Sequence, residues 1–262
     1  MASGTLPVIR REQILTAIRN RSFARVAELS DEFGISEVTV RSDLDALQRS
    51  GVVRRVHGGA ILGGRHVRAE RPFEEEATAS AEEKAAIAAV AAGVVCSGDT
   101  IILDVGTTCT AVAGALVDSD LEDIVVITNG LNIAFAFEAT MPRFTVVVTG
   151  GTVRPLQHSL VDPFGSLVLE QLNADVMFLG CNGVDAGRGV TNVNLPEANM
   201  KQRMMRSAQR TVAVADGSKI GQVSAARICG VADLAMLVTG SSAPAALLDE
   251  LEQQGLDIRI AH

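Results

Sequence analysis

The 262-residue chain has no tryptophan, no tyrosine, only three lysines and no long apolar run. A membrane-spanning helix needs roughly 20 consecutive apolar residues, and the first residues also lack the apolar core of a signal peptide. The four cysteines (Cys96, Cys109, Cys181 and Cys229) are scattered and form no CxxC pair. We therefore expect a cytoplasmic protein with no membrane contact, no disulfide framework, no metal site and no cofactor.

Positive charge is also scarce, and it is unevenly distributed. The whole chain has a net charge of −8, but residues 1–71 carry 12 arginines against 8 acidic residues, a net charge of +4. The remainder carries 11 basic and 23 acidic residues, a net charge of −12. Contacts to nucleic-acid phosphates need basic groups only where the duplex lies. The asymmetry therefore predicts two domains with different partners.

Composition and apolar spacing place the domain boundaries. Residues 9–20 put Ile14, Leu15 and Ile18 on one face of a predicted first helix. Residues 63–80 combine glycine, proline and mixed charge with little apolar content, which predicts a linker. From residue 81 short apolar runs alternate with helical stretches. We predict an N-terminal domain over residues 1–62, a linker over 63–80 and a second domain over 81–262.

Residues 24–60 predict two short helices joined by a tight turn, followed by a basic β-hairpin. Gly34 suits the left-handed end of the first helix, and Ser36 suits the N-cap of the second. The stretch VVRRVHGGA alternates apolar and basic residues before a double-glycine turn. The core-facing positions are predicted to be Val26, Leu29, Phe33, Val40, Leu44 and Leu47. This layout is that of a winged helix-turn-helix, and the alternative is a packed helical hairpin with a solvated face.

The second helix presents a polar face near its N-terminus. Val38, Ser42 and Asp45 lie opposite the apolar stripe, with Thr39 and Arg41 on the flanks. Small polar groups and an arginine at this position suit insertion into the major groove of duplex DNA.

The second domain contains six apolar, β-branched runs with little polar alternation. Such runs predict strands buried on both faces, and therefore a Rossmann-like parallel sheet flanked by helices. The runs are 100–105, 123–128, 144–149, 175–180, 211–216 and 234–239, and the candidate helices are 82–94, 108–117, 130–139, 164–172, 197–208 and 243–254.

Ligands bind outside the C-terminal ends of parallel strands, and five of these ends are rich in glycine, threonine, asparagine and aspartate. In one of them Gly106 lets the backbone approach a ligand, while Thr107 and Thr108 offer N–H groups and hydroxyls to an anion at a helix N-terminus. Simple N-capping of the helix explains the same three residues. The five ends are 104–110, 128–132, 149–155, 180–185 and 215–219.

Charged residues near these ends have two interpretations. Lys219 follows a strand end, where its ammonium would neutralise a phosphate, although a surface lysine is the alternative. Asn182 and Asp185 offer groups for sugar hydroxyls, although aspartate after a strand is also a common helix cap. Glu197 and Lys201 are four residues apart, which is typical of a pair on a helix surface.

The motifs VAELSDEFGISEVTVRSDLDAL, GVVRRVHGGA, GDTIILDVGTTCTAVA, VITNGLN, TGGTVR, FLGCNGV, EANMK and VADGSK occur in this order. From about residue 9 to 240 the chain resembles the DeoR family of bacterial transcriptional regulators. The resemblance implies a repressor of sugar catabolism genes that binds operator DNA and a phosphorylated sugar effector. It also implies that the second domain resembles the sugar-phosphate isomerase fold.

The resemblance further implies which residues form the two sites. The predicted DNA-binding residues are Ser36, Val38, Thr39, Arg41, Ser42 and, from the wing, Arg54, Arg55 and His57. The predicted ligand-binding residues are Gly106, Thr107, Thr108, Thr128, Asn129, Gly150, Gly151, Asn182, Gly183, Asp185 and Lys219. A dimer or tetramer would hold two DNA-binding heads at the spacing of operator half-sites.

The chain departs from the family pattern at positions that bear on function. Ser42 stands where the family often has arginine, and Glu74 to Glu76 follow Phe73 where the family tends to place an arginine. The alternative function is a sugar-phosphate isomerase fused to a DNA-binding head, with Asp185 or Glu197 as base. The stretch GRGVTNVNLP lacks the lysine that the related isomerases carry, so we expect binding without turnover and no enzyme.

Overall fold

Two compact units make up the chain. The first comprises residues 1–66 with 244–247, and the second comprises residues 67–243 with 248–262. The computed structural model describes residues 7–21, 23–49, 53–56, 58–62, 70–140 and 142–262, and for residues 7–9, 19, 20, 49, 54, 61 and 62 it describes the backbone only. No helix among these residues is both long and apolar enough to cross a membrane.

The first unit has the winged helix-turn-helix layout that the sequence predicts. Its elements are α1 (Pro7–Arg21), β1 (Phe23–Arg25), α2 (Val26–Phe33), α3 (Glu37–Arg49), β2 (Val53–Val56) and β3 (Gly59–Leu62). The strands form an antiparallel sheet in the order β1-β3-β2. Gly34 ends α2 in the left-handed conformation, at φ 60°, and its N–H donates to the carbonyl of Ser30.

The core of this unit comes from the predicted apolar stripes. Leu29, Val40 and Leu44 are fully buried, and Ile14 and Ile18 of α1 pack against them. Phe33 is only partly buried at the edge of this cluster. Burying one face of α3 leaves its opposite face to solvent, so the packing itself orients the surface that the sequence assigns to DNA.

The second unit is built on a seven-stranded parallel sheet. Its helices are α4 (Phe73–Thr78), α5 (Ala81–Ala92), α6 (Thr107–Val117), α7 (Leu131–Ala136), α8 (Phe164–Leu169) and α9 (Leu195–Arg206), and most of α10 (Ala245–Glu252) also belongs to this unit. The sheet strands are β4 (Thr100–Leu103), β5 (Ile124–Thr128), β6 (Phe144–Val148), β9 (Ala174–Gly180), β12 (Ala208–Ala215), β14 (Met236–Gly240) and β15 (Ile258–Ala261). Five further strands of this unit lie outside the large sheet: β7 (Thr152–Arg154), β8 (Ser159–Val161), β10 (Gly183–Asp185), β11 (Gly189–Asn192) and β13 (Ala226–Cys229).

The strand order of the large sheet creates a natural crevice. The order is β15-β14-β12-β9-β4-β5-β6, and every neighbouring pair is parallel. The chain therefore builds outward from β4 in one direction through β5 and β6, and in the other direction from β9 through β12 and β14. The connection changes direction between β4 and β9, and ligands of such sheets bind at this switch point.

All six predicted sheet strands are confirmed, but the sequence did not predict β15. That strand lies at the edge of the sheet, and its two central residues, Arg259 and Ile260, are exposed, so it lacks the continuous apolar run of the others. The described part of the predicted linker, residues 70–80, differs from an open connection, because it carries α4 and belongs to the larger unit.

Candidate functional site

The outward face of α3 carries the residues predicted to contact DNA. Val38 is 73% exposed, and Arg41 and Ser42 are also exposed. The hydroxyl of Ser36 accepts a hydrogen bond from the N–H of Thr39 at 3.2 Å and lies 2.9 Å from the Thr39 hydroxyl, so it caps the helix. An exposed, well-capped helix end with small side chains has the shape that a major groove accepts.

Arginines on this face pair with nearby carboxylates. Arg41 donates to Glu37 at 2.6 Å, one helical turn away. Arg55 of β2 donates to Asp45 at 2.6 Å and to the carbonyl of Arg41 at 3.4 Å. Exposed pairs of this kind are weak, so both guanidinium groups can exchange their carboxylates for phosphates or bases. The side chain of Arg54 and the whole of His57, also predicted to contact DNA, lie outside the described residues.

Asp43 fixes the opposite side of α3 to α1. Its side chain is buried and accepts hydrogen bonds from Arg10 at 2.6 Å and from Arg11 at 2.9 Å. Burial favours a higher pKa for Asp43, but the two arginines outweigh burial and hold the pKa below its ordinary value. The charged carboxylate therefore joins α1 and α3 through two ion pairs. No periodic pattern in the sequence marks Asp43 for this role.

A pocket in the second unit opens at the switch point of the sheet. It contains about 800 Å³ of space, part of it open to solvent. The loop after β4 and the loop after β9 form two of its walls. The lining residues are Glu70, Arg71, Glu76, Val105, Gly106, Thr107, Thr108, Gln157, Gly180, Cys181, Asn182, Asn192, Val193, Glu197, Lys201 and Lys219.

The first wall is the N-terminus of α6. Gly106 has a φ of 129°, a conformation that L side chains rarely adopt, and it directly precedes the first helical turn. The N–H groups of Thr107 and Thr108 lie in that first turn, where an α-helix has no carbonyl partners for them. The positive end of the helix dipole adds to these donors, so this wall is suited to an anion.

Lys219 stands at the same pocket and already has an anionic partner. It belongs to a single 3-10 turn, Gly217–Lys219, which Asp216 caps by accepting from the N–H of Ser218 at 3.1 Å. The ammonium of Lys219 donates to the carboxylate of Glu76 at 3.0 Å. Lys219 is therefore a half-buried, ion-paired lysine in the pocket lining and not an isolated surface lysine.

A buried ion pair lies beneath the pocket. The ammonium of Lys201 donates to Oδ2 of Asp104 and to the carbonyl of Gly180, and the N–H of Gly180 donates to the same carboxylate oxygen at 3.0 Å. Burial raises the pKa of Asp104 to about 6, against the opposing charge and hydrogen bond of Lys201. This pair ties the end of β4 to the end of β9 and so holds the two pocket walls together.

Glu197 is the centre of a second polar network. Its carboxylate accepts hydrogen bonds from Arg154, from the hydroxyl of Ser159 at 2.7 Å and from the amide of Asn192 at 3.3 Å. Arg154 also donates to Glu70 at 2.5 Å. The interpretation of Glu197 and Lys201 as a surface pair is wrong, because both are buried and each pairs with a different partner.

The structure brings only part of the predicted ligand set together. Gly106, Thr107, Thr108, Asn182 and Lys219 line the pocket. The other predicted residues are not part of its lining, and their role as ligand contacts stays a prediction: Thr128, Asn129, Gly150, Gly151, Gly183 and Asp185.

Those residues serve local structure instead of the pocket wall. The hydroxyl of Thr128 accepts from the N–H of Gly130 at 3.0 Å, and the amide of Asn129 donates to the carbonyl of Leu160 at 3.1 Å. A Cβ on Gly151 or on Gly183 would lie 2.2 Å from a backbone oxygen, so close packing requires glycine at both. The carboxylate of Asp185 accepts hydrogen bonds from the backbone N–H groups of Gly187 and Arg188, at 2.9 Å each.

Several pocket residues were not predicted from the sequence. Glu70, Arg71 and Glu76 lie in the segment predicted as a linker, where no periodic pattern marks them. Two features of Lys201 could have indicated a role: it is one of only three lysines, and it lies on the apolar side of an amphipathic helix.

Two family models match the chain. The model described as "DeoR-like helix-turn-helix domain" matches residues 10–64, and the model described as "DeoR C terminal sensor domain" matches residues 79–241. Together they match most of both units.

Relatives match along almost the whole length. The chain is 32% identical to the HTH-type transcriptional regulator GolR of Listeria innocua, over 97% of this chain and 99% of GolR. It is 31% identical to the HTH-type transcriptional repressor CsqR of Escherichia coli, over 95% of this chain and 94% of CsqR. It is also 34% identical to the regulator YulB of Bacillus subtilis, over 95% of each chain.

Among solved structures, ribose 5-phosphate isomerase A from Methanocaldococcus jannaschii matches 54% of this chain and 55% of its own, at 16% identity and a TM-score of 0.41. At this level the likeness bears on neither substrate nor reaction. The two domain matches, in this order, and the end-to-end similarity to named regulators agree with the capped, exposed α3 and the polar crevice. The chain belongs to the DeoR family of DNA-binding transcriptional regulators.

Proposed function

We propose that the protein represses sugar catabolism genes and that a phosphorylated sugar in the pocket of the second unit controls its binding to operator DNA. The observation that carries this proposal is the meeting of the α6 N-terminus with Lys219 in one crevice. Helix N–H groups and an ammonium are the donors that proteins use for phosphate. The remaining wall offers amides and carboxylates, which suit the hydroxyls of a sugar.

The proposal includes an oligomer that acts in the cytoplasm, where its operator is. A dimer or tetramer would place two copies of α3 on repeated half-sites. Sugar phosphate would then favour one arrangement of the heads over another, which requires that it bind the two states with different affinity.

Binding without turnover fits the surroundings of Glu197, one of the two candidate bases of the isomerase alternative. Arg154, Ser159 and Asn192 all donate to its carboxylate. These donors all belong to the protein, so the carboxylate is already held in a structural network. Incubation with aldose and ketose phosphates, followed by NMR, is expected to show no interconversion, and turnover would support the isomerase instead.

The decisive experiment uses Lys219→Ala. A thermal-shift screen with hexose phosphates, pentose phosphates and glycerol 3-phosphate first identifies a stabilising effector, and selection from random duplexes identifies an operator sequence. The variant is expected to bind operator DNA like the wild type but to lose the response to the effector. Arg188→Ala, which changes an exposed cation outside the pocket, is the matched control. An unchanged effector response in Lys219→Ala would refute the assignment of the pocket.

A further inference from the structure

The carboxylate of Glu76 forms an ion pair with Lys219, the cation that the proposed phosphate site needs. Oε2 of Glu76 lies 3.0 Å from Nζ of Lys219, and the two side chains are 24% and 12% exposed. Both residues line the pocket that also contains Gly106, Thr107 and Thr108. An anion of the protein itself therefore sits where the proposed function places the anion of the ligand.

The charge on Glu76 is secured by its surroundings. Partial burial favours a higher pKa for Glu76, but the charge and hydrogen bond of Lys219 outweigh it, and the pKa lies below the ordinary value of 4.5. The charges of Lys84 and Arg71 act in the same direction. Glu76 is thus ionised at neutral pH and competes for Lys219 as an anion.

The backbone around Glu76 is held by polar contacts to the body of the second unit. The ammonium of Lys84, itself buried, donates to the carbonyls of Glu76 and Ala79. His158 pairs with Glu74 at 2.9 Å and contacts the ring of Phe73. At the other end of the segment, Glu70 pairs with Arg154 at 2.5 Å. Polar contacts thus hold this segment, which has no buried residue in α4.

The position of the segment in the chain gives these contacts a further meaning. The family model for the DNA-binding domain ends at residue 64, and the model for the sensor domain begins at residue 79. Glu70 and Glu76 lie between the two. The part of the chain that connects the two domains therefore sends two carboxylates into the ligand pocket or its wall.

We propose that Glu76 is a built-in competitor of the effector: the phosphoryl group takes Lys219 from Glu76, and the release of Glu76 loosens residues 70–78. This inference rests on the proposed function of the same pocket. A phosphate monoester carries nearly two negative charges at neutral pH. It is therefore attracted more strongly than one carboxylate to the ammonium of Lys219 and the N-terminus of α6 together. The displaced carboxylate, next to a dianion, is then repelled from the pocket.

Calorimetric titration of the full-length protein with inorganic phosphate tests the competition. Glu76→Gln keeps the shape of the side chain but removes its charge, and we expect it to bind phosphate about fivefold more tightly than the wild type. Glu75→Gln, the exposed neighbour on the same helix, is the matched control and is expected to bind like the wild type. Lys219→Ala is expected to bind more weakly than any of them.

The outcomes separate the two levels of the proposal. If Lys219→Ala loses phosphate but Glu76→Gln binds no more tightly than the wild type, the competition is refuted while the phosphate site stands. If Lys219→Ala binds like the wild type, or no form binds phosphate, the site itself fails and the competition fails with it. Glu76→Asp, which keeps the charge but shortens the reach, is expected between wild type and Glu76→Gln and covers the case in which the glutamine variant does not fold.

Hydrogen exchange of the backbone amides tests the release. Phosphate is expected to speed the exchange of residues 70–78 in the wild type, and Glu76→Gln is expected to show the faster exchange without phosphate. Glu75→Gln should again match the wild type. Slower exchange of this segment on addition of phosphate would contradict the release, because it would mean that the ligand holds Glu76 in place.

Discussion

The outward face of α3 proposed to contact DNA (Val38, Thr39, Arg41 and Ser42; here the reading face) and the pocket of the second unit both have ion pairs beside them, but the pairs differ in kind. On α3 the partners are close in sequence: Arg41 and Glu37 are 4 residues apart, and Arg55 and Asp45 are 10 apart. In the pocket, Lys201 and Asp104 are 97 residues apart, and Lys219 and Glu76 are 143 apart. Only the folded sheet brings the second kind together.

The two kinds of pair also differ in their exchange with solvent. The side chains of Arg41 and Glu37 are about half exposed, whereas those of Lys201 and Asp104 are almost fully buried. Exposed pairs contribute little and can be traded for another partner, and breaking a buried pair leaves a charge without compensation. The Arg41–Glu37 pair is thus free to exchange partners, while the Lys201–Asp104 pair is part of the structure.

The largest expected effect comes from breaking the buried pair. Lys201→Met leaves the Asp104 carboxylate without its ammonium, and we expect the free energy of unfolding to fall by about 3–5 kcal/mol at pH 7.5 in urea titrations. The double variant Asp104→Asn with Lys201→Met removes both charges and is expected to recover much of the loss. A loss below about 1 kcal/mol would show that the pair does not act as a unit.

The same variant has a defined pH dependence. Burial raises the folded-state pKa of Asp104 to about 6, above its reference value of 3.8, so stability from this group is present below that reference and is lost as pH rises through the folded pKa. Removing Lys201 takes away a charge that lowers this pKa. The deficit of Lys201→Met is therefore expected to be smaller at pH 5 than at pH 7.5, and equal deficits would contradict the role of Asp104 ionisation.

A smaller effect is expected on the reading face. Arg41→Ala should weaken operator binding by about 1–3 kcal/mol if the guanidinium contacts a base, while phosphate affinity and the unfolding transition stay unchanged. Arg21→Ala removes another exposed arginine, paired with Glu32, from the same domain. Equal losses in the two variants, measured by fluorescence titration of labelled operator, would show that Arg41 contributes only general charge.

The smallest effect is expected from Asp45→Asn, which frees Arg55 on the wing side of the reading face. The pair is partly exposed, so stability should change by less than about 1 kcal/mol. Operator binding at low salt should become slightly tighter, and the salt slope should steepen by up to about 0.9 if Arg55 gains one phosphate. Weaker binding would mean that Asp45 positions Arg55 for DNA instead of withholding it.

The difference between local and distant pairs also explains how far the sequence could be interpreted. Apolar spacing of three and four placed Val40 and Leu44 in the core and thereby turned Val38 and Ser42 outward, as the structure has them. In the second unit the β-branched runs marked the central strands. They did not mark the hairpin of β7 and β8 or the short sheet of β10, β11 and β13, which carry no long apolar run.

The pocket shows where this interpretation ends. The residues after β4 and Lys219 were predicted to bind an anion, and both reach the crevice. Thr128, the last residue of β5, and Gly150, which lies in the loop after β6, belong to strand ends of similar composition but do not line it. The crevice opens between β4 and β9, and β5 and β6 continue the sheet on the side of β4 away from β9.

The sequence alone determined the two-domain plan, the winged helix-turn-helix with its outward face, the buried parallel strands and the family. Each of these depends on the periodicity or composition of a continuous stretch. Tertiary structure alone decided that β4 and β9 flank the crevice, that Lys201 pairs with Asp104 below it, and that Glu76 reaches Lys219. These contacts join residues too distant in the chain for any local pattern to record, because backbone topology sets their distance.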